Sequence, residues 1–500
     1  MRALILTLPL AFTSCSFTKF AFTRCDMNQE CRDAFGWGYV CAEELCQEVD
    51  PIPRCERTYP EDLLDNVEGY RDRVVYGVQF DQSQFATESR AAEFAIEEVM
   101  KASGLGGKGF AAVVCTNEES SLFDGLAQDQ ANVMVSEYLA NQVGVSAIIG
   151  PATSDRVEAS FEAVKRFGTL VMSPTATSPS LTPLDGSVST TAEPGLLWRT
   201  SPPDDLQGAE LAALMEADGM DTVAFILEEG NYGTALGAIG QAAFEDGGGE
   251  ATLVPYESGS TASLQDKIGM VENMDVDGVA FISSDREDTQ EFLQFVATSA
   301  SDASYTCDSA DRCPFSDDGA TIYLADGGKD LGIFESVSGI ERVLDRIHGT
   351  APAHELGSVY NVFADSFDAR WGAGTADSTP FTSYAYDAAW LVIYGSAWAH
   401  YNEAAIDGIG IARGLRRISE KRDGTTQVDV GRSSWNSVRA EFEAAQPIDV
   451  QGASGALDYD PNTGETSAPI EYWCVTSLAG EDLTFAVVNH PSEGVSRCEI

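Results

Sequence analysis

From Val74 onward the chain alternates two hydrophobic rhythms. Unbroken apolar runs of strand length are VVYGVQF (Val74 to Phe80), FAAVVC (Phe110 to Cys115), VSAIIG (Val145 to Gly150) and TLVMS (Thr169 to Ser173). Between them apolar residues recur at helical spacing: Ala92, Ala95, Ile96 and Val99, then Ala131, Met134, Val135, Tyr138 and Leu139, then Val157, Phe161 and Val164. The glycine-rich stretch Gly104 to Gly109 follows a helix and turns the chain into the second strand, so it reads as a turn and not as a nucleotide loop. A second series begins after Pro202-Pro203. Its strands are TVAFIL (Thr222 to Leu227), TLVPYE (Thr252 to Glu257), GVAFIS (Gly278 to Ser283) and TIYLAD (Thr321 to Asp326). Its helices are marked by Leu236, Ile239 and Ala243, by Leu264, Ile268 and Val271, and by Phe292, Phe295 and Val296. Strands apolar on both faces and alternating with helices belong to parallel sheets covered by helices. Two such series predict two doubly wound α/β lobes. Ligands of open sheets bind beyond the carboxyl ends of the strands, so the predicted site is the cleft between the lobes.

Charge and cysteines narrow the setting. The 500 residues carry 30 Lys+Arg against 79 Asp+Glu, a formal charge of −49. Such a surface repels phosphate backbones and anionic lipids, which excludes nucleic acid as a partner. It suits an exported protein in salty surroundings, where the Debye length falls to about 3 Å at 1 M salt. Arg2, the apolar run Ala3 to Phe12 and the lipobox-like Phe12-Thr13-Ser14-Cys15 make residues 1–14 a lipoprotein-type signal, with Cys15 the residue lipidated. An ordinary signal peptide cleaved a few residues later is the alternative. No other apolar run reaches 18 residues, so nothing spans a membrane and attachment is by the lipid alone. Of 11 Cys, setting Cys15 aside leaves ten, an even number. Cys25, Cys31, Cys41 and Cys46 cluster in a segment too small to bury a core, which two disulfides would hold. A zinc site on those four is the alternative, with no His nearby. Cys307 and Cys313 bracket a short acidic loop, Cys474 and Cys498 share the C-terminal tail, and Cys55 and Cys115 remain for each other; spacing alone leaves the connectivity open.

Two strand-to-helix junctions carry the candidate chemistry. Gly150-Pro151-Ala152-Thr153-Ser154 and Ser173-Pro174-Thr175-Ala176-Thr177-Ser178 place hydroxyls beside exposed backbone N–H groups, a setting made for a carboxylate. Read singly, Ser154 and Thr177 are N-caps. With WRTSPPDDLQG (Trp198 to Gly208) and YAYDAAWLV (Tyr384 to Val392), these junctions resemble the leucine/isoleucine/valine-binding branch of type I periplasmic binding proteins over roughly residues 70 to 475.

That resemblance implies three crossovers, near Trp198 to Pro203, Gly357 and Pro447. Lobe one is then 70–200 with 357–446 and lobe two is 201–356 with 447–500, preceded by a Cys-rich segment and linker over 15–60. The resemblance implies that Ser154 holds the α-carboxylate of an amino acid, and that Thr175, Ala176 and Thr177 supply a backbone carbonyl and amide and a threonine hydroxyl to the ligand. It also implies that Asp326 meets the ligand's ammonium group with two following glycines leaving it room, and that Tyr232 packs on it. Phe85 stands where an aromatic covers the ligand. Arg286 departs from the family, which often has an aromatic there; it either favours an acidic side chain or pairs with Asp285. The implied function is extracytoplasmic capture of an amino acid or similar small polar solute for ABC-transporter uptake, with no cofactor or metal. The partner is a membrane permease, or a sensor protein if the chain is a surface receptor instead, and the location is the periplasm or cell surface. A hydrolase is disfavoured: no G-x-S-x-G elbow occurs, His348, His354, His400 and His490 are isolated, and His354-Glu355 lacks the second His of a zinc helix.

Overall fold

The structure is a computed structural model; it describes residues 24–120, 122–185, 190, 192–307, 313–419, 424–460, 462–476 and 483–488. The leader, Cys15 and Cys498 lie outside those residues, so neither the lipidation nor the Cys474–Cys498 pairing is described.

Lobe one is built on a six-stranded sheet of β1 (Arg57–Tyr59), β2 (Val74–Phe80), β3 (Phe110–Thr116), β4 (Ala147–Ile149), β5 (Leu170–Ser173) and β6 (Leu197–Arg199), in the order β1-β3-β2-β4-β5-β6. Lobe two holds a seven-stranded sheet of β7 (Thr222–Glu228), β8 (Glu250–Tyr256), β9 (Gly278–Ile282), β10 (Thr321–Leu324), β11 (Ile347–Pro352), β12 (Ile470–Thr476) and β13 (Thr484–Val488), in the order β8-β7-β9-β10-β11-β12-β13. Within each lobe five strands run parallel. Their order reverses at β2/β4 and at β7/β9, the switch points where loops part and a crevice opens. The two-lobe doubly wound expectation therefore holds.

Five helices position the site: α1 (Ala86–Met100), α2 (Ser154–Val164), α3 (Asp204–Ala217), α4 (Asn231–Asp246) and, on the return to lobe one, α5 (Thr382–Asn402). α5 has no polar face. Its residues from Thr382 to Ala399 are all buried, because it lies against the sheet on one side and further helices on the other. Its YAYDAAWLV sequence also organises the crossovers. The Tyr384 carbonyl accepts from Thr200 Oγ1 (2.9 Å) and the Tyr384 hydroxyl donates to the Ala353 carbonyl (2.6 Å). Asp387 accepts from the Ala453 and Ser454 amides, each at 2.8 Å. One helix turn thus grips the first two connections and the lobe-one segment that leads to the third.

Two boundaries differ from expectation. The third crossover lies beyond Tyr459 and not near Pro447: Ile448–Gln451 pairs in parallel with Thr426–Asp429, and Ile448, Val450, Leu457 and Tyr459 are buried in the lobe-one core. An apolar alternation that pairs within one lobe cannot be leaving it. At the other end, Arg57–Tyr59 is not linker but an antiparallel edge strand on β3, tied there by Cys55–Cys115. The Cys-rich segment forms a short helix (Asn28–Phe35) and a hairpin (Tyr39–Ala42 with Leu45–Glu48), closed by Cys25–Cys41 and Cys31–Cys46. It docks on lobe one through Trp37 Nε1 to the Tyr70 carbonyl (3.1 Å) and Asn28 Nδ2 to the Asn141 carbonyl (3.0 Å). Cys307–Cys313 closes the short loop in lobe two. Among the described residues no helix is long and apolar enough to cross a membrane.

Candidate functional site in the interlobe cleft

The cleft forms where both switch points face each other. In lobe one the β4–α2 junction turns on Gly150, whose φ of +98° suits only glycine and where a Cβ would lie 2.1 Å from the Gln79 carbonyl. The helix starts at Ser154 with Thr153 at the N-cap, so Ser154 is its first residue and not its cap. Ser154 Oγ accepts from the Ser178 amide (3.2 Å), which leaves its own O–H to donate. The β5 junction is stitched alongside: Thr175 Oγ1 donates to the Ala152 carbonyl (2.5 Å) and Ser173 Oγ to the Pro151 carbonyl (2.8 Å).

A cavity of about 60 Å³ lies against these junctions and is walled by both lobes. Lobe one contributes Gln84, Phe85, Glu88, Thr153, Ser154 and Thr175, with Thr379 and Phe381 from the approach to α5. Lobe two contributes Tyr232, Ser284, Arg286, Asp326, Lys329 and Asp330. The lobes touch around it. Gln84 Nε2 donates to Asp285 Oδ2 (3.1 Å), Asp155 accepts from the Asn231 amide, and Ser178 Oγ donates to the Asn231 carbonyl (2.8 Å). This is a closed cleft.

Six of the eight expected ligand contacts, Phe85, Ser154, Thr175, Tyr232, Arg286 and Asp326, therefore line one cavity. Ala176 and Thr177 do not. The Ala176 amide donates to Ser173 Oγ (3.2 Å) and its carbonyl accepts from Arg199 Nη1 (3.1 Å) and Ser201 Oγ (2.9 Å), so its backbone groups are occupied within lobe one. Thr177 sits one layer behind, its carbonyl accepting from the Asp204 amide (2.9 Å) at the start of α3. Arg286 pairs with Asp330 (2.9 Å) and not with Asp285, which caps its own helix through the Glu287 and Asp288 amides. Gly327 is glycine because the Ser283 carbonyl would lie 2.2 Å from a Cβ there; the close approach is to β9's exit and not to a ligand.

A family model described as the receptor family ligand binding region matches residues 87–256. No curated protein matches the chain. Among solved structures, the branched-chain amino acid transporter substrate binding protein of Streptococcus pneumoniae, in complex with isoleucine, aligns with a TM-score of 0.58 and 17% identity over 84% of this chain and 100% of that one. A leucine binding protein of Thermotoga maritima gives 0.59 and 16% over 83% and 99%. A solute binding protein of an ABC transporter from R. palustris, in complex with 4-hydroxybenzoate, gives 0.60 and 14% over 85% and 100%. The fold is that of a type I periplasmic binding protein.

The cleft concentrates buried acids. Tyr232 donates to Asp326 Oδ1 (2.5 Å), and burial drives the Asp326 carboxyl above its ordinary range. Directly behind, Asp204 is fully buried with neither oxygen partnered, and burial and repulsion from Asp326 hold it well above the carboxylate range. Burial also pushes Glu88 up to about 7, against the hydrogen bond from Thr379. Lys329 forms a buried ion pair with Glu471 on β12. Glu88, Asp330, Lys329 and Asp204 were invisible in the sequence as site residues. Glu88 stands in the first turn of a helix, where acids are ordinary, and in a chain with 79 acidic residues no pattern separates it from the rest.

Proposed function

We propose that this chain is an extracytoplasmic solute-binding protein that closes its two lobes around an amino acid or similar small polar solute and presents it to an ABC permease. The observation that carries this reading is the polarity across one cavity. Lobe one offers the Ser154 hydroxyl at the start of α2, suited to a carboxylate, while lobe two offers Asp326 oriented by Tyr232, suited to an ammonium group. Isoleucine and 4-hydroxybenzoate, the ligands named for two of the similar structures, both bear a carboxylate, which supports the lobe-one half of the assignment. Closure by a ligand that contacts both lobes follows from its better fit to the closed state. The arrangement binds and does not react.

A second reading keeps the fold and the cleft but makes the closed lobes a signal to a membrane sensor; the match to a receptor ligand-binding model favours it. In both readings a lipid on Cys15 tethers the protein outside the cytoplasm, which mass spectrometry of the N-terminal peptide tests. A thermal-shift screen of the oxidised protein from Ser16 onward, against amino acids, small amides and aromatic acids, tests binding. A ligand at 100 times its Kd adds about 2.7 kcal/mol of stability. A selective shift supports the reading, and a flat screen across all amino acids refutes an amino-acid ligand.

A further inference from the structure

The binding reading leaves one buried acid in the cleft without a role, and that group bears on which solute is taken. The two cations in the wall are both engaged: Arg286 with Asp330 (2.9 Å), and Lys329 with Glu471. Two acids in the wall, Asp326 and Glu88, form no ion pair with either cation. Asp326 has Tyr232 and, in the proposed reading, the ligand's ammonium group. Glu88 has less. It is 2% exposed, its Oε1 accepts from Thr379 Oγ1 (2.5 Å), and its Oε2 has no hydrogen-bond partner although Glu88 lines the cavity. Buried carboxylate oxygens are normally partnered, and a buried charge left alone is expensive. A zwitterionic amino acid with an apolar side chain satisfies the lobe-one donors and Asp326, and leaves Glu88 as it is. A ligand carrying a second cation satisfies it. Phe85, Ile333 and Phe381 line the same cavity and supply apolar surface for an aliphatic stem, the arrangement long basic side chains use when the stem is buried and the head is paired.

Resting on the solute-binding reading, we propose that the cleft selects a basic amino acid, with the side-chain cation received by Glu88 Oε2. One of the two sequence readings of Arg286 suggests the opposite selectivity, an acidic side chain. The Asp330 pair removes that option, because a ligand carboxylate would have to compete with a charge already in place.

Isothermal titration of the oxidised mature protein decides it, using L-ornithine, L-lysine and L-arginine against the neutral counterparts norleucine and citrulline. The expected result is at least one basic ligand binding ten-fold or more tighter than its neutral counterpart, with Glu88→Gln collapsing that ratio to about one and Glu88→Asp keeping part of it. Neutral amino acids binding as tightly as basic ones overturn the selectivity and leave the binding reading standing. Binding by none of the five, nor by any other amino acid, overturns both. If Glu88→Gln does not fold, the wild-type ratio alone decides.

Discussion

Asp155 is the point at which closure can be weighed. It belongs to lobe one, in the first turn of α2, yet both its oxygens accept from the Asn231 amide (3.0 and 3.1 Å) at the start of α4 in lobe two. Glu158 takes the Asn231 side chain (2.5 Å), and a Cβ at Gly230 would lie 2.6 Å from Asp155 Oδ2. A lobe-one carboxylate thus sits on the positive end of a lobe-two helix. A hydrogen bond to a charged group contributes roughly 1.5–3 kcal/mol and the helix dipole about 0.3–1 kcal/mol more. Solvent screens the exposed flank of Asp155 and its partial desolvation opposes the gain, so the low end, about 1 kcal/mol, is the relevant figure. That corresponds to roughly a five-fold change in the closed-to-open ratio. Asp155→Ala is therefore expected to weaken the amino acid giving the largest thermal shift by up to about five-fold if the free protein is mostly open. If it is mostly closed, the variant instead enlarges the ligand-free radius of gyration in small-angle scattering. Asn231→Asp, which adds a third carboxylate beside Asp155 and Glu158, acts in the same direction and more strongly. A Kd within two-fold of wild type together with an unchanged radius for both variants refutes the latch.

Three further outcomes are expected. Ser154→Ala removes a donor at the carboxylate end and weakens carboxylate ligands by about 1 kcal/mol, roughly five-fold in Kd; equal affinity by titration removes Ser154 from the site. Asp326→Asn costs most for ligands with an ammonium group, and an equal loss for neutral carboxylates such as 4-hydroxybenzoate contradicts that pairing. Glu88, Glu228 and Asp387 are fully buried acids whose folded values are each raised to about 7, chiefly by burial. Between their ordinary values and 7 the unfolded chain releases protons that the fold retains, so stability falls as pH rises through that window, by up to roughly 3–4 kcal/mol per group. Calorimetry should show a higher Tm at pH 5 than at pH 8, with a smaller difference in Glu88→Gln; a Tm that rises across this range refutes the assignment.

The sequence by itself determines the lobes and their chemistry at one wall. Runs such as Val74 to Phe80 are apolar on both faces, and only a strand covered by helices on both sides buries them, so the doubly wound sheets follow from local pattern. Gly150 and the hydroxyls after it mark a strand-to-helix junction for the same reason: backbone geometry and capping are local matters. Everything that depends on a partner far along the chain is decided by tertiary structure. Ala176 lies in the expected motif, but the distant Arg199 takes its carbonyl. Arg286 beside Asp285 reads as a neighbouring pair, yet the helix that Asp285 caps turns the guanidinium to Asp330. The third crossover reads as Pro447 until Ile448 and Val450 find a parallel strand in lobe one. Glu88 is one acid among 79 until the chain's return to lobe one sets Thr379 beside it. Periodicity reports which face of an element is buried. It carries no information about which charge on another element that face will meet, and the selectivity of the cleft resides in those meetings.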